Sequence, residues 1–392
     1  MPMVAGSPTD LCRLALAGGA FLALACGHTD PFSAPPFGTT QPFDPSPPVR
    51  LTLNESADRG ASWLPDGSGI LYSTQQLGRP DHDVCLAELP ATGGSQRRLV
   101  CDLSGSGDDS TNAIESPVLS PDGRLAFVKA SGRIGAVSPD REAVAVAPGS
   151  DVSGAANVQP IPYTIPGEPR HNAVRQLRWQ GADRLVFVGA HVAYRVPCQN
   201  CVMDTITSGL KLGVLDLSAA GATVSGLPGT DFASGVSRGP TDDEIYFTLG
   251  GDSRVFRRVL STGATDVVYD FGPAGIARDV DAAAGRLAAV VGGRVAFSVD
   301  PELGPTQWDS GGIVHVVDLA SGADAVLESP ASFRRPALSP AGTEVVAEGY
   351  PLVIAPKLDP KTGQPVLNPL TGNPLTDTTV ARAADLYLFG AP

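Results

Sequence analysis

The sequence predicts an all-β protein, a six-bladed β-propeller, and three observations carry that prediction. The first is a recurring turn phrase: Trp63-Leu64-Pro65-Asp66-Gly67, then Leu119-Ser120-Pro121-Asp122-Gly123, then Leu338-Ser339-Pro340-Ala341-Gly342. A short strand-forming run follows each copy, and a repeat made only of strands and turns must stack on its neighbours to bury its apolar faces. The second is composition: 45 Gly and 36 Pro in 392 residues suit many tight turns, and helical periodicity is scarce beyond the N-terminal apolar run. The third is the chain's two ends. Asp385-Leu386-Tyr387-Leu388-Phe389 matches the third strand of other repeats, so the last repeat lacks a fourth. Val49-Arg50-Leu51-Thr52-Leu53 has no other partner and supplies it, which closes the ring and removes a sheet edge.

Taking the phrase as the turn between a blade's first and second strands divides the chain into six units. The first spans 58–103, with Ile70-Leu71-Tyr72 as its second strand, and the second spans 112–148, with Leu125-Ala126-Phe127-Val128. A Pro-rich excursion at 149–170 precedes the third, where Leu177-Arg178-Trp179-Gln180-Gly181 is a degraded copy of the phrase. Ile245-Tyr246-Phe247 marks the fourth, 286–291 the fifth and 344–347 the sixth. A seven-bladed count fits the same length. Residues 49–392 are read as one propeller, preceded by a Pro-rich tether at 26–48 and a signal segment at 1–25.

The apolar run at 14–25 is too short to span a bilayer but suits a signal-peptide core. It ends at Leu24-Ala25-Cys26-Gly27, which resembles the bacterial lipobox, in which the Cys is lipidated and becomes the mature N-terminus. The competing reading is a plain signal peptide with Cys26 incidental. The tether favours the anchor, because a tethered globe needs a spacer. Export places the chain in the cell envelope, at the outer membrane or cell surface, where disulfides persist. Cys85 and Cys101 lie symmetrically about Gly93 in a hairpin and are expected to bond across adjacent strands. Cys198-Gln199-Asn200-Cys201 is expected to close a small loop as a disulfide; zinc would need further ligands, with only His191 near, and a redox motif would need a βαβ setting.

The phrases resemble the WD40-like repeats of the TolB-type six-bladed propellers of the bacterial periplasm. The resemblance covers roughly 50–389 and implies fold and export. TolB proteins also carry an N-terminal α/β domain not legible here and are soluble rather than anchored, so their partners are not implied.

A net charge of -13, from 28 Lys and Arg against 41 Asp and Glu, argues against nucleic acid as partner. Gly235-Val236-Ser237-Arg238-Gly239 fits the serine-hydrolase elbow in letters but falls in a strand rather than at a strand-to-helix turn. Asp108-Asp109 and the pair Asp279 and Asp281 do not approach a calcium loop and are read as solvated. No metal or cofactor is expected.

Long inserts at 191–209, 294–311 and 351–381, with the 149–170 excursion, are expected on one face. Four residues before each turn phrase, at the channel mouth, stand Arg59, Glu115, Arg175 and Arg334, with Arg278 and Arg335 close by. Arginines around a funnel in an acidic protein suit an anionic peptide or small molecule, or an envelope protein partner. The alternative is that each Arg pairs with a carboxylate and ties blades together. The functional expectation is a monomeric, lipid-anchored module that binds or scaffolds without catalysis; the rival is a hydrolase or lyase with its site in the channel.

Overall fold

The computed structural model describes residues 48–392 apart from 54–56, 76–83, 97, 102–109, 134–141, 148–157, 159, 162, 196–203, 219–220, 274, 294–298, 301–303, 306–310, 328–330, 360–361 and 381–383. The signal segment, Cys26, nearly all of the tether, Asp108-Asp109, Cys198, Cys201 and most of the 294–311 insert lie outside the described residues.

Strands in this chain are apolar on both faces, because each sheet is sandwiched between two others. In Arg184–Arg195, Leu185 and Phe187 face one cluster, with Val118, Val128 and Val144 of the preceding repeat. Val186, Val188 and Ala190 face the opposite cluster, with Val236, Ile245 and Phe247 of the following one. The same device recurs where Tyr246 and Val255 meet Ala277 and Leu287, and where Trp63 and Tyr72 meet Ala337 and Val346. The core is thus a series of seams between blades, the arrangement of a β-propeller.

Within a repeat the strands form an antiparallel meander. The third repeat runs through Ala173–Gln180, Arg184–Arg195, Asp204–Asp216 and Thr223–Gly226. The fourth comprises Ala233–Arg238, Glu244–Leu249, Arg254–Val259 and Thr265–Asp270; the fifth, Gly275–Ala283, Arg286–Gly293, Ile313–Asp318 and Asp324–Leu327. The last contains Ser332–Leu338, Glu344–Tyr350 and Asp385–Gly390, with Val49–Arg50 as its outer strand. Val49 pairs with Leu388 and Arg50 with Tyr387, as the ring-closure expectation required.

Counted as hydrogen-bonded sheets, the blades number five rather than six. The first two repeats form one eight-stranded sheet, because Val84 pairs in parallel with Ala113 and bridges them. A second correction concerns the 149–170 excursion. It is not all loop, since Pro160–Ile161 pairs with Ala145 and Val144 and extends the second repeat outward.

The turn phrase has a clear physical basis. Gly67 and Gly123 stand at φ +73° and +87°, where a side chain would be strained, and their N–H groups donate to Leu64 and Ser120 carbonyls at 2.9 Å. Asp66 accepts from the N–H and hydroxyl of Ser68 at 3.0 and 2.7 Å. The tryptophans tie neighbours together: Trp63 Nε1 donates to the Ala337 carbonyl at 2.9 Å and Trp179 Nε1 to that of Val118 at 3.1 Å. Cys85 and Cys101 are bonded, with Cα atoms 4.4 Å apart, as the hairpin symmetry predicted.

The insert at 351–381 is an arm. Leu352–Pro356 pairs with Thr376–Val380, and beyond them Leu358 bridges Pro365 and Leu367 bridges Pro374.

Candidate functional site

The strand that opens each repeat carries one extra residue. Register shifts fall between Arg59 and Ser62, Glu115 and Val118, Val174 and Gln176, Ala233 and Gly235, Ala277 and Asp279, and Arg334 and Ala337. A bulge of this kind re-aims side chains and frees backbone groups from the ladder. All six residues chosen from the sequence, Arg59, Glu115, Arg175, Arg278, Arg334 and Arg335, stand at or beside a bulge. Gly60, Ser116 and Arg335 take positive φ there, at 62°, 53° and 43°.

Side chains of the adjoining strands catch the freed groups. The N–H of Gly60 donates to Glu348 at 2.6 Å, that of Ser116 to the Ser73 hydroxyl at 3.1 Å, and that of Arg335 to Asp279 at 3.0 Å. Val174 N–H donates to Glu142 at 2.5 Å and Val236 N–H to Gln176 Oε1 at 2.7 Å. The Thr248 hydroxyl donates to the Arg278 carbonyl at 2.6 Å. A chain of polar latches therefore links the repeats around the channel. Asp279 and Asp281 belong to it, which corrects their reading as solvated. Asp279 also accepts from Gln176 Nε2 at 3.1 Å, and Asp281 accepts from Ser237 Oγ at 2.9 Å and Leu338 N–H at 2.8 Å. Ser237, the central residue of the elbow-like pentad, is wholly buried in this structural role.

Arg59, Glu115 and Arg335 converge on one cavity of about 30 Å³, which Ser73, Gln75 and Ser116 also line. Arg335 Nη1 lies 3.3 Å from Glu348, whose other oxygen accepts from the Tyr350 hydroxyl at 2.9 Å. The Arg334 guanidinium stands over the Tyr350 ring, 4.7 Å from its centre. Arg175 Nη2 is 3.8 Å from Glu142. Arg278 is buried, and Gly292 makes room for it: a Cβ there would come within 2.8 Å of its Nε.

Two buried glutamates meet opposite fates. Burial pushes the Glu142 carboxyl up to about 7; Arg175, the Val174 N–H and Arg335 oppose that shift, while Glu115 adds to it. Burial also acts on Glu348, but Arg335, the Gly60 N–H, Arg59 and the Tyr350 hydroxyl outweigh it and hold that carboxyl below its usual value. Neither glutamate nor Tyr350 stood out in the sequence. Glu348 had a legible signal, a lone carboxylate in the apolar run Val345-Val346-Ala347-Glu348-Gly349-Tyr350. Glu142 had none, because its partner Arg175 lies in the next repeat.

Residues 163–172, at the end of the excursion and just beyond it, are clamped to the hairpin that begins at His191. The Asn172 side chain donates to the Val192 carbonyl at 3.0 Å and accepts its N–H at 2.8 Å. His171 Nε2 is 2.5 Å from the Gly209 carbonyl, and Lys211 pairs with Glu168 at 3.0 Å. These two inserts therefore share a face. Among the described residues no group of three His, Cys, Asp or Glu side chains is placed to hold a metal ion.

No protein family and no curated protein matches the chain. Solved structures do. A gluconolactonase from Xanthomonas campestris is 14% identical over 88% of this chain and 89% of its own, with a TM-score of 0.51. The calcium-binding protein regucalcin from Agrobacterium tumefaciens is 16% identical over 87% and 93%, with a TM-score of 0.46. TolB from Acinetobacter baumannii is 15% identical over 83% of this chain and 64% of that one, with a TM-score of 0.47. The likeness is one of fold: the chain is a β-propeller protein.

Proposed function

We propose that the chain is a lipid-anchored binding module of the bacterial envelope, a six-bladed propeller that captures a carboxylate of an anionic peptide or protein at its channel mouth. The observation that carries this reading is the cavity between Arg59, Glu115 and Arg335. Its volume of about 30 Å³ admits the tip of a partner side chain, whereas sites that engulf small molecules run to about 300–1,000 Å³. Arginine suits the role because its planar donors grip a carboxylate in pairs and cost less to desolvate than lysine. The six-blade count treats the eight-stranded sheet as two blades joined by a single bridge, with one bulged opening strand per blade.

The test is capture of a fluorescein-labelled hexa-aspartate peptide by fluorescence anisotropy. Replacing Arg59 and Arg175 together by Ala should abolish capture while far-ultraviolet circular dichroism still shows the folded β-sheet protein. Capture unaffected by the double substitution would remove the mouth from the reading. Mass spectrometry of membrane material checks the anchor: the N-terminal peptide should begin at a diacylated Cys26.

A second reading, a channel hydrolase or lyase, draws on Glu142, which titrates near neutrality and so suits proton exchange with a substrate. It expects turnover of an ester, lactone or polysaccharide substrate that Glu142→Gln abolishes.

A further inference from the structure

Arg175 is an arginine whose donors are not used up. Its Nε is buried with no hydrogen-bond partner among the described residues, and its Nη2 stands 3.8 Å from Glu142 Oε1, beyond hydrogen-bond reach. Glu142 is almost wholly buried and spends its other oxygen on the Val174 N–H. The pair is therefore held together by charge, not by a closed bidentate bridge.

The groups that act on Glu142 come from three strands. Arg175 belongs to Ala173–Gln180, Glu115 to Ser110–Leu119 and Arg335 to Ser332–Leu338. Arg335 is already answered by Glu348. With Glu142 ionised, its charge answers that of Arg175 across 3.8 Å, and a ligand carboxylate at Arg175 would meet a second negative charge beside it. A proton on Glu142 removes that negative charge and leaves Arg175 without its facing carboxylate.

We propose that the mouth is a proton-linked carboxylate site, in which Arg175 grips a ligand carboxylate while Glu142 takes a proton from solvent onto its carboxyl. This rests on the reading of the mouth as an anion-binding surface and adds its regulation. The ligand's charge replaces that of Glu142 beside Arg175, so binding and proton uptake favour each other. A partner would be held in an acidic compartment and released in a neutral or alkaline one. Burial, which holds Glu142 near 7, places the changeover in that range.

The experiment is titration of the full chain with the labelled hexa-aspartate peptide at about pH 6 and pH 8, a window in which the peptide's own carboxyls stay ionised. If only the Glu142-protonated form binds, affinity at the lower pH should be about tenfold higher. Glu142→Gln should bind at both values as the wild type does at the lower one, and Arg175→Ala should lose binding at both. Calorimetry of the wild type in two buffers of different ionisation enthalpy should show uptake approaching one proton at the higher pH, a readout that needs no variant. Equal affinity at the two values with no proton uptake, while Arg175→Ala still weakens binding, would overturn the linkage and leave the binding reading intact. Absence of wild-type binding at both values would overturn the reading and the linkage with it.

Discussion

Glu348 and Glu142 show how the same side chain, equally buried, is made structural at one bulge and titratable at another. Glu348 accepts from the Gly60 N–H, the Tyr350 hydroxyl and Arg335, enough donors to replace the water it has lost. Removing it leaves three groups without their acceptor. Glu348→Ala should cost about 3–5 kcal/mol in urea unfolding; a loss below about 1 kcal/mol would mean the latch is dispensable. Glu142 has one N–H and a distant guanidinium, so burial dominates. Its folded value of about 7 lies above the ordinary 4.5, so its stabilising contribution is complete below about 4.5 and is lost as pH rises through about 7. Asp385 acts in the same direction, pushed by burial from 3.8 up to about 6 against the pull of Arg50. Glu348 has the opposite sign, and its contribution is lost as pH falls through its depressed value. Between about pH 5 and pH 8 the wild type should therefore lose stability, and Glu142→Gln should flatten the decline. Identical slopes for the two proteins in denaturant titrations would show that Glu142 ionises freely.

At the scale of elements, the arm at 351–381 carries a bonding pattern of its own. Two nine-residue units follow one another, Leu358-Asp359-Pro360-Lys361-Thr362-Gly363-Gln364-Pro365-Val366 and Leu367-Asn368-Pro369-Leu370-Thr371-Gly372-Asn373-Pro374-Leu375. Each folds as a turn with its glycine at positive φ, 68° at Gly363 and 71° at Gly372, and with the leading Asp or Asn accepting backbone N–H groups. The units meet in a closed set of three backbone bonds: Lys357 N–H to the Leu375 carbonyl, Val366 N–H to that of Lys357, and Leu375 N–H to that of Val366, at 2.7, 2.7 and 2.8 Å. Because these bonds are internal, replacing 357–375 by Asn-Gly should change unfolding free energy by less than about 1 kcal/mol. A larger loss would show that the arm braces the ring. In the sequence this stretch reads only as a long insert, and its closure on itself is not legible there, because nothing in a nine-residue unit specifies which carbonyl its N–H will meet.

For the whole molecule, closure is made by a few residues from the far end of the chain. Arg50 Nη2 pairs with Asp385 at 2.6 Å, Leu51 N–H donates to the Leu386 carbonyl at 2.7 Å, and the Thr52 hydroxyl accepts the Leu386 N–H at 2.9 Å. Leu51 is buried in the cluster that holds Trp63, Tyr72 and Leu386. Deleting residues 49–53 should cost several kcal/mol, about that of emptying a buried leucine site and exposing a strand edge; an unchanged melting temperature would place the seam elsewhere. This closure was legible in the sequence because an orphan strand and an incomplete last repeat complement each other. So were the meanders, the glycine turns and the Cys85 to Cys101 bond, all set by alternation and turn chemistry over a few residues. The spacing back from the turn likewise led to Arg59, Glu115, Arg175 and Arg334, although the bulges at which they stand were not legible there. Which charges those arginines face was decided only by the tertiary structure, since Glu348 meets Gly60 across 288 positions and Gln176 meets Asp279 across 103. The joining of two repeats through Val84 and Ala113 was decided there as well. Backbone preference and turn chemistry act locally, whereas burial and charge pairing depend on which blades stand side by side, and that exists only once the ring has closed.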